Sequence, residues 1–247
     1  MREYPNYVRN GIALGFCYSR IPEECRKQAW SDLHGLMQDN NYDVRIVAVK
    51  ILGECYSQIP KECNKQAWDD LIRLTQDHYF EVRSGAADAL VACYYHITKV
   101  YKKQAMDGLI GLTQAKDKLL RWNAANALGV GYSQIPNKSK NQAWDYLHRL
   151  TLDNDNYVRS GIANALGFCY SHIPEKYKKQ AIDDLQRLAH DNISGVRSGT
   201  VKSFGSCYSQ IPEEDKKQVW NDLHRLNQDE YETIRIELVR FLVSFYS

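Results

Sequence analysis

The sequence lacks the features that mark a membrane-spanning, secreted or strongly basic protein. No run of about 18 apolar residues occurs, which argues against a spanning helix. The N-terminal stretch MREYPNYVRN has no apolar signal-peptide core. A formal net charge of +2 over 247 residues leaves little of the basic excess that is typical of nucleic-acid binders. We therefore expect a cytoplasmic protein without a membrane anchor.

Cysteine occurs in an odd number, seven, and its spacing is not that of a disulfide framework, which favours short secreted chains. Like cysteines stand one repeat apart, so they form a row, whereas a metal site needs ligands that converge on one point. The sequence therefore predicts buried structural cysteines and no metal or cofactor. One set comprises Cys17, Cys55, Cys93, Cys169 and Cys207, and the other Cys25 and Cys63.

Catalytic motifs are also missing. The sequence contains no H-x-x-x-H, no C-x-x-C and no glycine loop of the kind that cradles phosphate. Most of the seven histidines follow repeat positions, with His34, His148 and His224 in one column and His96 and His172 in another. Because residues set by a repeat make poor members of a unique catalytic set, we predict a protein that is not an enzyme.

What the sequence does contain is a Val-Arg pair, or a close variant of it, that returns with a 38-residue period. A period of roughly 20 to 50 residues indicates a repeat array, in which each repeat packs only on its neighbours. We predict one such array over residues 1–247, with copies that start near residues 8, 44, 82, 120, 158 and 196 and a terminal half-repeat at 234–247. The spaced arginines are Arg45, Arg83, Arg121, Arg159, Arg197 and Arg235.

One copy, residues 158–195, shows how each repeat folds. Its apolar residues fall at i, i+4, i+7, i+8 and i+11 from Val158, which is the stripe of an amphipathic helix. Pro174 ends this helix near Ile173, because proline disfavours helical geometry in the residue before it, and suits the first turn of the next helix. Each repeat is thus predicted to be a helical hairpin. The inter-helix prolines are Pro22, Pro60, Pro136, Pro174 and Pro212, with Thr98 at that place in the third copy.

These residues resemble HEAT repeats, of the type found in phycobilisome-lyase HEAT-like and archaeal HEAT-repeat proteins. The resemblance rests on a leucine-bearing first helix, Asp153 at the turn, then Val158-Arg159 and the segment Ala163 to Gly167 on the second helix. It implies an all-α fold, a right-handed α-solenoid of helical hairpins whose second helices line a concave face. It also implies a ladder of aspartates and arginines along the turns.

The ladder gives the arginines a structural interpretation. Each arginine is expected to reach an aspartate or a turn carbonyl of a neighbouring repeat. An aspartate stands six residues before most of the arginines, and it is the expected occupant. In the fourth copy Ala115 replaces the aspartate, and either Asp117 substitutes for it or Arg121 lacks its usual partner. Paired arginines weaken the case for nucleic acid further.

Positions that vary between copies are candidates for recognition. On the second helix these are the third, seventh and eleventh positions, which are spaced by four and share one face. Their near-neutral charge and apolar residues suit a protein or peptide better than a phosphate backbone, although the same positions are also compatible with surface drift and no partner. The candidate binding residues are Ile46, Lys50, Glu54, Asp88, Trp122, Asn126, Val130, Asn164, Phe168 and Lys202.

Trp122 is the first of these to test, because tryptophan is enriched in binding hot spots. The other tryptophans (Trp30, Trp68, Trp144 and Trp220) share an apolar column and are predicted to be core. Several residues near Trp122 break their columns, which indicates either a binding centre, a flexible joint or a drifted repeat. They are Tyr95, Thr98, Met106, Gly108, Gly111 and Ala115.

The two ends of the array differ from its middle. The first copy lacks two residues, which turns a helix face by about 200°, so Arg9 is predicted to stay out of the ladder. At the other end no helix is expected to cover Leu238, Phe241, Leu242 and Phe245, and solenoid ends normally need a polar cap. A longer array or end-to-end self-association through the C-terminal helix is therefore expected.

The sequence as a whole favours a non-enzymatic scaffold that binds a protein or peptide along the concave second-helix face. The alternatives are a nucleic-acid-binding solenoid similar to HEAT-like alkylpurine DNA glycosylases, and an accessory or maturation factor related to phycobilin lyases. Against the glycosylase reading, Asn126 rather than an aspartate follows Trp122 by four residues, and the groove is not basic.

Overall fold

The computed structural model describes residues 21–94, 96–97 and 102–243, and this part of the chain is built from α-helices and short 3-10 turns. The chain divides into two compact units, Met1–Gly108 and Leu109–Ser247, called the N-terminal and C-terminal units here. The helices are α1 (Arg26–Leu36), α2 (Tyr42–Cys55), α3 (Asn64–Leu74), α4 (Phe80–Tyr94), α5 (Lys102–Thr113), α6 (Lys118–Val130), α7 (Asn137–Leu150), α8 (Asn156–Cys169), α9 (Lys178–Ala189), α10 (Ser194–Cys207), α11 (Glu213–Leu226) and α12 (Glu232–Val243).

Proline sets the boundary between an even-numbered helix and the odd-numbered helix that follows it. The residue before each proline is extended, with ψ of 149° at Ile173 and 133° at Ile211, as steric conflict with the proline ring requires. The next helix begins within a few residues, either directly or through one 3-10 turn, as after Pro174. The hairpin predicted from residues 158–195 is confirmed. Thr98, the exception in this column, lies outside the described residues.

The even-numbered helices carry the Val-Arg pairs and pack on one another in chain order. Helix α2 packs on α4 in the N-terminal unit, and α6, α8, α10 and α12 form one series in the C-terminal unit. Close approach depends on glycine: a methyl group at Gly167 would lie 2.6 Å from Ser203 Cα. Small residues at these contacts let neighbouring backbones touch, which explains why the helices tolerate glycine at a cost of about 1 kcal/mol.

The ladder between arginines and aspartates of neighbouring repeats is confirmed, but the aspartate six residues earlier is not the one that supplies the carboxylate. Arg159 donates from Nε and Nη2 to both carboxylate oxygens of Asp191, 32 residues later, at 2.6 and 3.2 Å. The aspartate six residues earlier, Asp153, contributes its backbone carbonyl, which accepts from Nη1 at 2.8 Å. Arg159 therefore links its own turn to the carboxylate of the next turn. The same pairing joins Arg45 to Asp77, Arg121 to Asp153 and Arg197 to Asp229.

The fourth copy shows why the backbone carbonyl matters. Arg121 keeps both kinds of contact, because Nη1 donates to the Ala115 carbonyl at 2.9 Å and the carboxylate comes from Asp153. Asp117 is not the carboxylate partner of Arg121, because Asp153 supplies that carboxylate, and the Asp117 side chain accepts from the Leu119 N–H at the start of α6. Both outcomes proposed for Ala115 are thus wrong, because the aspartate at this place never supplied the carboxylate for its own arginine.

The tryptophan column is buried except at its last member. Trp30, Trp68 and Trp144 are core residues, whereas Trp220 has 47% of its surface exposed. At the same end, Leu238 and Phe241 are buried, and Phe241 packs edge-on against Tyr208. The expectation that these two residues lack cover is therefore wrong, because their own neighbours in α10 and α11 enclose them.

The remaining predictions divide between the described and the undescribed residues. Four cysteines of the main column, Cys55, Cys93, Cys169 and Cys207, are buried as predicted, while Cys25 is exposed. The first part of the copy that starts near residue 8, with Arg9 and Cys17, lies outside the described residues, as do Tyr95 and Phe245. Within the described chain, none of the helices combines the length and apolar character needed to cross a bilayer.

Candidate functional site

The variable positions lie on the even-numbered helices, and the structure places them on one side of each helix. We call those of the C-terminal unit the recognition stripe, defined by Trp122, Asn126, Val130, Asn164, Phe168 and Lys202. Helices α6, α8 and α10 carry them and pack side by side. The constant positions between them, such as Ala125 and Ala165, are buried, whereas Val130, Phe168 and Lys202 are exposed.

Trp122 is half-buried, and its indole ring lies over Gly161 on the neighbouring helix α8. A methyl group at Gly161 would overlap the ring atoms Cδ1 and Nε1 of Trp122. The absence of a side chain at position 161 therefore makes room for the tryptophan, which stabilises the contact between α6 and α8. The ring has a packing role in addition to any part in recognition, and only its outer edge is open to a partner.

The most exposed apolar surface of the stripe is formed by Val130 and Phe168. Phe168 is 59% exposed and Val130 38%, and they hold equivalent positions on the packed helices α6 and α8. Helices in such contact lie about 8–10 Å apart, so the two side chains are close enough to contact one ligand. An exposed phenylalanine beside a valine is the kind of surface that binding sites bury.

Two asparagines lie one helical turn before this apolar pair, toward the N-terminus of α6 and α8. Asn126 and Asn164 are half-buried, and the Asn164 Nδ2 donates to the Ser160 carbonyl at 3.1 Å. That bond uses the Asn164 Nδ2 and leaves the amide oxygen as an acceptor for another group. A side-chain amide offers both a donor and acceptors, which match the two hydrogen-bonding groups of a peptide backbone.

Glu237 is a member of this surface that the sequence reasoning missed. Its carboxylate lies 3.6 Å from Lys202 Nζ of the stripe and 2.7 Å from Arg240 Nη1 on α12, so one acid pairs with both cations. The only available signal was that position 237 carries glutamate in a column that holds glycine at Gly85, Gly161 and Gly199. Because that column was assigned to packing, its acid was not counted.

Asn123 is a second residue that was missed. It follows Trp122, is buried to 2% exposure, and its Nδ2 has no hydrogen-bond partner in the described structure. It also interrupts the glycine column. Buried amides are normally satisfied, so the segment around Trp122 is unusual in its hydrogen bonding as well as in its sequence.

The variable positions of the N-terminal unit have a different character. Lys50, Glu54 and Asp88 are exposed and charged, and Ile46 is half-buried. Desolvation raises the pKa of Asp88, and the charge of Lys50 opposes that shift. This set lacks an exposed aromatic residue, so it is more polar than the recognition stripe.

Reactive chemistry has little support in the described residues. No group of three or more His, Cys, Asp or Glu residues is arranged to hold a metal ion in the searched part of the chain. Burial raises the pKa of the Cys55 and Cys207 thiols to about 12, which keeps them protonated and unreactive at neutral pH. The buried cysteines therefore act as small apolar packing groups.

Comparison with known proteins agrees with this architecture. A family model of HEAT repeats matches residues 106–205. No curated protein sequence matches the chain. An engineered protein of known structure is similar over 85% of this chain and 96% of its own, with 22% identity and a TM-score of 0.59.

Two further structures show the same fold at lower identity. A designed armadillo repeat protein in complex with the peptide (KR)4 is 17% identical, with a TM-score of 0.60 over 87% of this chain and 98% of its own. Kap121p is 17% identical, with a TM-score of 0.66 over 86% of this chain but only 22% of its own length. The chain is therefore an all-α helical-repeat protein with the fold of HEAT and armadillo proteins, and its residues 106–205 match the HEAT-repeat family.

Proposed function

We propose that the protein is a non-enzymatic scaffold whose recognition stripe binds an extended peptide segment of a protein partner. The observation that carries the proposal is the exposed pair Val130 and Phe168 beside two side-chain amides. An apolar pair supplies buried area, and amides supply hydrogen bonds to a peptide backbone, which is the usual division of labour in peptide recognition. A designed armadillo repeat protein of similar fold forms a complex with the peptide (KR)4, which supports a peptide as the kind of ligand.

The chemistry of the stripe favours a ligand with apolar side chains. Glu237 forms ion pairs with both Lys202 and Arg240 and offsets one of their two positive charges, and no acidic row is present among the stripe residues to attract a basic peptide. We propose that Phe168 and Val130 hold an aliphatic or aromatic ligand side chain, that Asn126 and Asn164 bind its backbone, and that the outer edge of Trp122 extends the contact. The more polar set of the N-terminal unit is proposed as a separate contact; it comprises Ile46, Lys50, Glu54 and Asp88.

Nucleic acid is the weaker alternative. Arg121, Arg159 and Arg197 have carboxylate partners, so they are not available to neutralise phosphates. A phosphate-driven complex would lose affinity steeply with salt, whereas an apolar peptide site would change little. An accessory role of the phycobilin-lyase type has no feature in the described residues that favours it.

The test uses peptides selected by display against the immobilised full-length protein. We expect enrichment of short peptides with an apolar anchor, and we expect Phe168→Ala to weaken their binding about tenfold or more in a fluorescence anisotropy titration. Leu152→Ala is the matched control, because Leu152 is also 59% exposed but lies in a turn outside the stripe. Equal losses for the two variants, or no enriched peptide, would contradict the proposal.

A further inference from the structure

Three kinds of side-chain contact occur between more than one pair of consecutive repeats, and each kind runs in the same direction, although Trp68 Nε1 has no partner among the described residues. A tryptophan Nε1 donates to a glutamine 36 residues later, a histidine Nδ1 bonds an aspartate 36 residues later, and a ladder arginine binds an aspartate 32 residues later. In each case the earlier repeat supplies the ring or cation and the later repeat supplies the oxygen. The tryptophan and histidine pairs are Trp30–Gln66 at 3.1 Å, Trp144–Gln180 at 2.7 Å, and His34–Asp70 and His148–Asp184 at 2.6 Å.

The last hairpin presents the first half of all three contacts. Trp220, His224 and Arg235 hold the same repeat positions as Trp144, His148 and Arg159, and none of them has such a partner within the described chain. We call them the C-terminal face. Trp220 borders a cavity of about 90 Å³ that is also lined by Leu223, His224 and Leu242. The guanidinium of Arg235 bonds only the turn carbonyls of Asp229 and Glu230.

The first described hairpin presents the second half. Gln28, Asp32 and Asp39 stand one repeat before Gln66, Asp70 and Asp77, and we call them the N-terminal face. Their hydrogen bonds are local: Gln28 Nε2 donates to Asp32 Oδ1 at 2.9 Å, and Asp39 Oδ1 accepts from the Asn41 N–H at 2.7 Å. Neither carboxylate has a cation within ion-pair distance among the described residues. Within the described residues, the Gln28 Oε1 and the remaining carboxylate oxygens of both acids therefore have no donor.

We propose that the C-terminal face of one copy binds the N-terminal face of a second copy, so that the chains associate head to tail. Arg235 then pairs with Asp39 of the second copy, His224 with its Asp32, and Trp220 with its Gln28. One face offers a cation, an imidazole and an indole N–H, and the other offers two carboxylates and an amide oxygen, so the two are complementary in charge and in hydrogen bonding. Because the two faces differ, the contact is heterologous and builds rings or open chains rather than a two-fold dimer.

The decisive experiment exchanges the charges of one pair. Arg235→Glu and Asp39→Arg each place like charges across the contact, so each variant alone is expected to need an about tenfold or higher concentration to associate. When the two variants are mixed, one contact carries the exchanged pair and the alternate contact carries the native pair. The mixture is therefore expected to recover the association of the wild-type protein, as measured by analytical ultracentrifugation over a concentration series.

Controls separate this contact from loss of folding and from the proposed peptide site. Trp220→Ala is expected to weaken association to a similar extent, while Phe168→Ala, which removes an aromatic ring of comparable exposure on the recognition stripe, is expected to leave it unchanged. Circular dichroism verifies that each variant keeps its helices. A wild-type protein that stays monomeric throughout the series, or a mixture that associates no better than its separate components, would overturn the proposal without touching the peptide-binding proposal.

Discussion

Trp144 and Trp220 occupy the same position in two repeats of one chain and have opposite environments. Trp144 is fully buried, stacks on Tyr177 at 5.8 Å between ring centroids and donates to Gln180. Trp220 is 47% exposed, and no helix follows α12 in the described residues. The residue type is constant, so the difference comes from the neighbouring repeat. In a repeat array the interface with the next repeat, and not the hairpin alone, decides what a side chain contributes.

The largest expected difference in unfolding free energy is between variants that remove the indole of Trp144 and that of Trp220. Trp144→Ala leaves a cavity in a packed interior and is expected to cost about 3–5 kcal/mol of unfolding free energy. Trp220→Ala removes a ring that is already half-solvated and is expected to cost about 1 kcal/mol or less. Urea unfolding followed by circular dichroism measures both at a protein concentration below any self-association. Similar losses for the two variants would mean that the exposed indole is packed after all.

The same comparison extends to the arginine ladder with a smaller effect. Arg159→Met removes a bidentate ion pair and leaves the half-buried Asp191 without its cation. This change is expected to lower the free energy of unfolding by about 1–3 kcal/mol. Arg235→Met removes only exposed bonds to turn carbonyls and is expected to cost less than about 0.5 kcal/mol. Midpoints of urea unfolding for the two variants test this order. A larger loss for Arg235→Met would show that turn carbonyls, rather than the next carboxylate, carry the stabilisation.

The pH dependence of folding stability tests what the Asp153 carboxylate contributes. Burial opposes ionisation of Asp153, but hydrogen bonds from Arg121 and from the Asp155 N–H outweigh it and lower its pKa. A lowered pKa stabilises the folded protein above the unfolded value of about 4, and this contribution is lost as the pH falls through the folded pKa. Asp153→Asn is therefore expected to be less stable than wild type at pH 7 by about 1 kcal/mol. The gap in unfolding midpoint should close below about pH 4, and a constant gap would point to lost geometry instead of lost charge.

Much of the fold could be predicted from the sequence, because the period and the prolines are local signals. The recurrence of the Val-Arg pair located the even-numbered helices, and Pro174 located the hairpin turn. The partner of Arg159 was predicted wrongly for a physical reason. Asp153 and Asp191 stand in the same column, so the sequence cannot distinguish a bond within one turn from a bond to the next turn. Only the distance between neighbouring turns settles which carboxylate the guanidinium reaches.

The candidate surface was less predictable. Variation between copies indicated which helix face to examine, and Phe168 is exposed there as expected of a contact residue. The same variation did not reveal that Trp122 covers Gly161, because the two residues lie in different columns and meet only when α6 packs on α8. Glu237 escaped notice for a related reason, since its column is a packing column in the other copies.

The contact between Trp122 and Gly161 gives the smallest and most specific prediction. Alanine is a better helix former than glycine by about 1 kcal/mol, but a methyl group at position 161 overlaps the indole, and overpacking costs about 1–3 kcal/mol. Gly161→Ala is therefore expected to destabilise by about 1 kcal/mol. Gly195→Ala is the matched control, since its methyl group would lie 3.7 Å from Ser160 Oγ, and it is expected to stabilise slightly. In a Trp122→Ala background, Gly161→Ala should change from destabilising to neutral or stabilising, because the indole ring that the added methyl group would overlap is gone. A double-mutant cycle of unfolding free energies measures the coupling between the two substitutions. A coupling near zero would show that the ring does not occupy the space that glycine leaves.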